Sequence, residues 1–240
     1  MICFLTSRTD LPDSDHLSVN PANHFAEELL RVVPKPCRAL AVCSDPDVPE
    51  ITDYYAVLMR KSFENAGLAF KSFQALDGRN EARAAELIRD ADLLILCGGH
   101  VPTQNRFFRR IGLKELLRGC DGVLIGISAG SMNCAETVYA QPEEEGEAVD
   151  PAYRRFFPGL GLTKQMILPH YQEIKDDVLD GLRVMEDIAY PDSKGRAFLI
   201  FPDGTYLYIA NGRQTVCGEA WRLADGVLTP ICANNETLEV

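Results

Sequence analysis

Histidine is scarce in this chain. There are four in 240 residues, at positions 16, 24, 100 and 170, so any chemistry that needs an imidazole has four candidates. No His-x-His, His-Glu-x-x-His or Cys-x-x-Cys occurs, and without such ligand spacing neither a metal nor another cofactor is expected. Long apolar runs are also missing. None approaches the roughly eighteen residues that a membrane-spanning helix needs. The start, Met1-Ile2-Cys3-Phe4-Leu5-Thr6-Ser7-Arg8, lacks the basic stretch and apolar segment of a secretory signal. Positive charge is in deficit: 24 Lys and Arg stand against 35 Asp and Glu, a net charge of −11. Such a chain repels nucleic acid and anionic membrane surfaces, so neither is expected as a partner. The eight cysteines are scattered at 3, 37, 43, 97, 120, 134, 217 and 232, several inside apolar strand patterns. That usage predicts reduced, buried thiols in a cytoplasmic protein.

What is present is ordinary for a globular chain, with 46% hydrophobic and 25% charged residues. The length suits one large domain spanning 1–240. Apolar runs at Ala39–Cys43, Asp92–Cys97 and Val123–Ile127 read as buried strands. Between them, residues 50–66, Asn80–Arg89 and Thr103–Arg118 show helical spacing, with Ile51, Tyr55, Leu58, Met59 and Phe63 on one face of the first. Strand and helix alternate, which predicts an α/β fold with a doubly wound, mostly parallel sheet and ligands at the carboxyl ends of its strands. A helix is expected from the Val123–Ile127 strand's end to about Tyr139, and another over Ile174–Ile188. Beyond 196, short strands broken by Pro202-Asp203-Gly204, Asn211-Gly212 and Asp225-Gly226 predict an antiparallel C-terminal appendage on one side of the sheet.

The chemistry centres on Gly126-Ile127-Ser128-Ala129-Gly130. An apolar strand running into Gly-x-Ser-x-Gly, followed by small residues, has the form of a nucleophile elbow. The glycines are needed where a side chain would strike the neighbouring strand or helix. A helix N-terminus beneath Ser128 favours negative charge, and the N–H of Ala129 is a natural oxyanion donor. Gly98-Gly99, one unit earlier at the same sheet edge, offers a second. A serine nucleophile needs a base and a group to orient that base. His170 follows a predicted strand at this edge and is the chosen base, with His100 next. For the orienting acid the sequence leaves Asp203, Glu143 to Glu145 and Glu173 open. The acidic run 143–150 reads as a solvated loop or a lid.

Leu96-Cys97-Gly98-Gly99, then the Ser-Ala-Gly elbow, then Pro169-His170 resemble the peptidase E (aspartyl dipeptidase) and cyanophycinase family of serine peptidases. That family shares its core with the class I glutamine amidotransferases, which carry cysteine in the elbow. The resemblance spans roughly residues 38–215. It implies Ser128 as nucleophile, His170 as base, the Gly99 and Ala129 N–H groups as oxyanion hole, and Asp203 or a carboxylate of 143–145 as the third member. It implies hydrolysis of short peptides, with an acidic residue on the acyl side, by a monomer or homodimer. Such a substrate needs a cationic pocket; Arg213 is its chosen source, with Arg106, Arg109, Arg110 and Arg196 as others. The chain departs from peptidase E at His100, where an asparagine is typical, and His100 is counted among the substrate-binding candidates. Two other readings stand beside this one. An α/β-hydrolase esterase or amidase also has the elbow, but its acid precedes its histidine in the chain. A non-enzymatic binding domain on an amidotransferase-like core would tolerate loss of a triad member, and none is missing here.

Overall fold

The structure is a computed structural model that describes residues 1–11 and 15–240. Five strands, β1 (Ile2–Thr6), β2 (Cys37–Val42), β3 (Phe70–Leu76), β4 (Leu93–Leu96) and β5 (Val123–Ile127), pair in parallel in the order β3-β2-β4-β5-β1. Their apolar runs have a direct cause: side chains alternate between two faces, and both faces are covered. Leu94, Leu96 and Leu124 pack with Phe107 and Phe108 on one face, while Leu93, Ile95 and Ile125 pack with Phe25, Leu29 and Phe63 on the other. The covering helices are α1 (Phe25–Val32), α2 (Pro49–Asn65), α3 (Ala84–Asp90), α4 (Val101–Arg110) and α5 (Leu113–Leu116). No helix among the described residues is long and apolar enough to cross a membrane.

The C-terminal strands are antiparallel additions on one side of the sheet, as expected, and they divide between two sheets. Tyr206–Ala210, Arg213–Cys217 and Thr237–Glu239 extend the main sheet antiparallel beyond β1, making eight strands. Ala197–Ile200, Ala220–Ala224 and Val227–Cys232 join Met166–Leu168 in a second, four-stranded sheet. In that sheet Met166–Leu168 runs parallel to Ala197–Ile200, which brings the ends of both strands together.

Of two expected helices, one is cut short and the other is replaced. The helix after β5, α6, is only Ala129–Met132, and Thr137–Tyr139 is a strand paired with Phe156–Pro158. The β-branched and aromatic run Thr-Val-Tyr overrides helical continuation there. Within Ile174–Ile188 the chain forms instead a hairpin, Val178–Leu179 with Leu182–Arg183, followed by a π-helical turn over Val184–Ala189. The two-residue loop is Asp180-Gly181, with φ of 54° and 81°. Positive φ at both positions is what a tight Asp-Gly hairpin turn requires. A third difference concerns α2. Ile51 and Tyr55 are 55% and 50% exposed, so its apolar face is only partly turned to the core.

Candidate active site

β5 delivers Ser128 to the carboxyl edge of the sheet. The backbone there is held at φ 51°, ψ −114°, a strained conformation for a residue with a side chain. Close packing enforces the bend. A Cβ on Gly130 would collide with the carbonyl of Leu96 on β4, and one on Gly126 would lie 2.9 Å from the Ser131 Cα. β1 ties the turn from the other side. The Ser128 N–H donates to the Thr6 carbonyl at 3.0 Å, and the Ser131 hydroxyl donates to the same oxygen at 2.7 Å.

His170 reaches Ser128 from the second sheet. It follows Met166–Leu168 and stands at the start of a short helix, Tyr171–Ile174, with φ 58°. Its Nε2 lies 2.9 Å from the Ser128 Oγ. Its Nδ1 lies 2.9 Å from Oδ1 of Asp203, which sits just past the parallel strand Ala197–Ile200. With both ring nitrogens engaged, the acid beside His170 is Asp203. Glu143, by contrast, accepts the Val101 N–H at 3.1 Å, at the start of α4, and the 143–147 loop is held there.

Ser7 and Arg8, at the end of β1, complete the arrangement. The Ser7 hydroxyl donates to Asp203 Oδ1 at 2.7 Å and accepts the His170 N–H at 2.9 Å, so one oxygen fixes both residues. Arg8 Nη1 lies 3.5 Å from Asp203 Oδ2 and 3.4 Å from Glu173 Oε1. Burial alone would raise the Asp203 carboxyl, but hydrogen bonds from His170 and Ser7 and the charges of His170 and Arg8 outweigh it, leaving the group below the usual aspartate range. Sequence inspection passed over Ser7 and Arg8 because neither stands in a motif. The available signal was position: they directly follow a strand whose carboxyl end must lie at the same edge as Ser128.

The oxyanion candidates fall beside the serine. A Cβ on Gly98 would lie 3.4 Å from that of Ser128, and one on Gly99, at φ 143°, would collide with Ser44. Among the described residues, the N–H groups of Gly99 and Ala129 have no acceptor. Two backbone donors at a helix start and a side-chain-free turn suit a developing oxyanion.

The other predicted residues are not brought in. Arg213 pairs with Ala210 near the amino end of β1, whereas Ser128 follows Ile127, which pairs with Thr6 at the carboxyl end. The antiparallel extension thus carries Arg213 to the opposite edge of the sheet, which corrects its assignment to substrate. His100 bonds Glu147 through Nε2 at 2.8 Å and Thr103 through Nδ1 at 2.7 Å, and does not line the cavity beside Ser128. Arg110 pairs with Glu81, Arg196 lies over the Phe156 ring, and Arg106 and Arg109 are exposed. Among the described residues, two groups bring histidine and carboxylate atoms within metal-ligating distance: His170, Glu173 and Asp203, and His100, Glu144 and Glu147. In both, hydrogen bonds already engage the two ring nitrogens of the histidine.

A cavity of about 410 Å³ opens on Ser128 and His170, between the segment after β1 and α2. The fold has solved counterparts. The structure of a peptidase from an acI-B1 actinobacterium superposes with a TM-score of 0.65 at 17% identity, covering 100% of this chain and 96% of that one. A putative peptidase E protein from Listeria monocytogenes EGD-e superposes with a TM-score of 0.56, also at 17% identity, covering 96% and 98%. No curated protein sequence matches the chain. The model of peptidase family S51 matches residues 43–216, which include both glycine turns, Ser128, His170 and Asp203; the chain belongs to that family and is a serine-type peptidase.

Proposed function

We propose that this peptidase hydrolyses short peptides through an acyl-enzyme on Ser128, with His170 as general base and Asp203 as its orienting acid, the whole chain working as one domain. The observation that carries the reading is the line Ser128 Oγ, His170 Nε2, His170 Nδ1, Asp203 Oδ1, with 2.9 Å at each hydrogen bond. The ionised Asp203 accepts the Nδ1 proton, leaving Nε2 free to take the proton of Ser128 as its oxygen attacks the scissile carbonyl. The N–H groups of Gly99 and Ala129 receive the oxyanion. His170 then gives its proton to the leaving amine as the C–N bond breaks. Water, deprotonated by the same nitrogen, releases the acid and restores Ser128.

Substrate size follows from the cavity. About 410 Å³ lies near the small end of ligand sites, ~300–1,000 Å³, and favours a dipeptide or similar fragment over a folded chain. All eight cysteines are unpaired, which supports a reducing, cytoplasmic setting.

Labelling with a fluorophosphonate, followed by mass-spectrometric mapping, tests the nucleophile. The expected result is modification of Ser128 and none in Ser128→Ala. Modification of a different residue in the wild type, or peptide turnover undiminished in Ser128→Ala, overturns it.

A further inference from the structure

The peptidase E resemblance implies an acidic residue on the acyl side of the scissile bond, and the cavity beside Ser128 is built for something else. His170 protonates the leaving amine, so the leaving group lies on its side of Ser128, towards β1. The acyl residue then lies across the ends of β4 and β2, beside Gly98, Gly99 and Cys43. There the cavity continues to α2, whose Ile51, Tyr55 and Met59 supply the facing wall. The 55% and 50% exposure of Ile51 and Tyr55 has its explanation here: their apolar surface is turned to this cavity.

The charges point the same way. Among the described residues that line the cavity, Arg8 is the one arginine or lysine, and it is engaged with Asp203 and Glu173. Asp10 and Asp45 place carboxylates on the wall. Asp10 is partnered by His16, while among the described residues the Asp45 carboxylate accepts a backbone N–H, from Asp47, at 3.0 Å and no further hydrogen bond. An acyl-side aspartyl would meet the Asp45 carboxylate and a hydrocarbon wall, while Arg8, Asp10 and His16 follow β1 on the leaving-group side. A leucyl, methionyl or phenylalanyl side chain would meet the hydrocarbon, and the free amino group of an N-terminal residue would find the Asp45 carboxylate. We infer that this peptidase selects peptides with an apolar or aromatic residue on the acyl side, received by Ile51, Tyr55 and Met59. This selection rests on Ser128 as nucleophile.

The test separates the two claims. Aminoboronic acids with leucine, phenylalanine and aspartate side chains, whose boron accepts the Ser128 oxygen, compete with a fluorophosphonate for labelling of the full chain. The leucine and phenylalanine forms are expected to protect Ser128 at concentrations about ten-fold or more below the aspartate form, the scale of discrimination an apolar pocket gives. Tyr55→Ala and Ile51→Asp, at half-exposed positions of α2, are expected to narrow that margin severalfold, with circular dichroism and melting checked for each. Protection by the aspartate form at equal or lower concentration overturns the inference, as does a margin that neither variant changes. Failure of the probe to label Ser128 in the absence of competitor overturns the nucleophile, and this inference with it.

Discussion

Ser7 shows how much one buried hydroxyl can organise. It sits at 0% exposure, donates to the acid and accepts from the backbone of the base. Ser7→Ala leaves the imidazole bonded to Asp203 but removes both restraints. The expected result is a drop in kcat of about ten-fold with KM little changed, since orientation rather than binding is lost. Asp203→Asn is more severe, because an amide can present its N–H to Nδ1 and so favour the wrong imidazole tautomer. A fall in kcat of about three to four orders of magnitude is expected, measured against the same peptide. The same substitution has a signature in stability. The folded-state pKa of Asp203 lies below its unfolded value of ~3.9, so its interactions stabilise the fold above that pH and are lost as pH falls through the folded value. The melting-temperature gap between wild type and Asp203→Asn should therefore be widest near neutrality and close on acidification below about pH 4. A gap independent of pH would mean that the carboxylate's charge contributes nothing.

At the scale of elements, the elbow is where sequence and structure speak most directly. Gly126 and Gly130 are two residues on either side of Ser128, and each is filled by backbone from a different neighbour, Ser131 of α6 and Leu96 of β4. No flexible side-chain tip can yield there, so Gly130→Ala must push α6 off β4. A loss of about 2–3 kcal/mol in unfolding free energy, with activity lost alongside, is expected from urea titration. The strands β4 and β5 were legible for a related reason, since two covered faces demand continuous apolar runs. The Gly-Gly turn, Ser128 and His170 were legible as residues that follow strands, whereas Asp203, in a Pro-Asp-Gly turn, could not be told from Glu143 to Glu145 and Glu173 by local pattern. The region from 133 to 192 was less so. Its strands are two or three residues long, too short for periodicity to register, and an Asp180-Gly181 reversal sits inside apolar spacing that mimics a helix. The α2 pattern marked an apolar face without saying what the face meets, and part of it meets the cavity. Arg213 was misplaced because topology, not local pattern, decides which end of an antiparallel strand approaches Ser128.

At the scale of the whole molecule, the charge of −11 bears on every ligand that approaches. Such a field slows anions and speeds cations over distances beyond any single contact, and salt weakens it. The described walls of the cavity do not reverse the effect locally, because Arg8 is shared with Asp203 and Glu173 while Asp10 and Asp45 add carboxylates to the lining. Raising the salt from about 10 mM to about 150 mM shortens the screening length from ~30 Å to ~8 Å. Over that range, kcat/KM for peptides with an acidic side chain should rise severalfold, that for neutral apolar peptides should stay within about two-fold, and that for lysyl peptides should fall. Steady-state rates on three such peptides of equal length, at one pH, make the measurement. A fall for the acidic peptide as salt rises would mean that a local cation captures it despite the overall charge. Arg8 is the side chain placed to do so, and Arg8→Gln would then remove the salt dependence. The expected rise would instead place the acidic peptide's disadvantage partly in the encounter itself, before any contact with Ile51 or Tyr55.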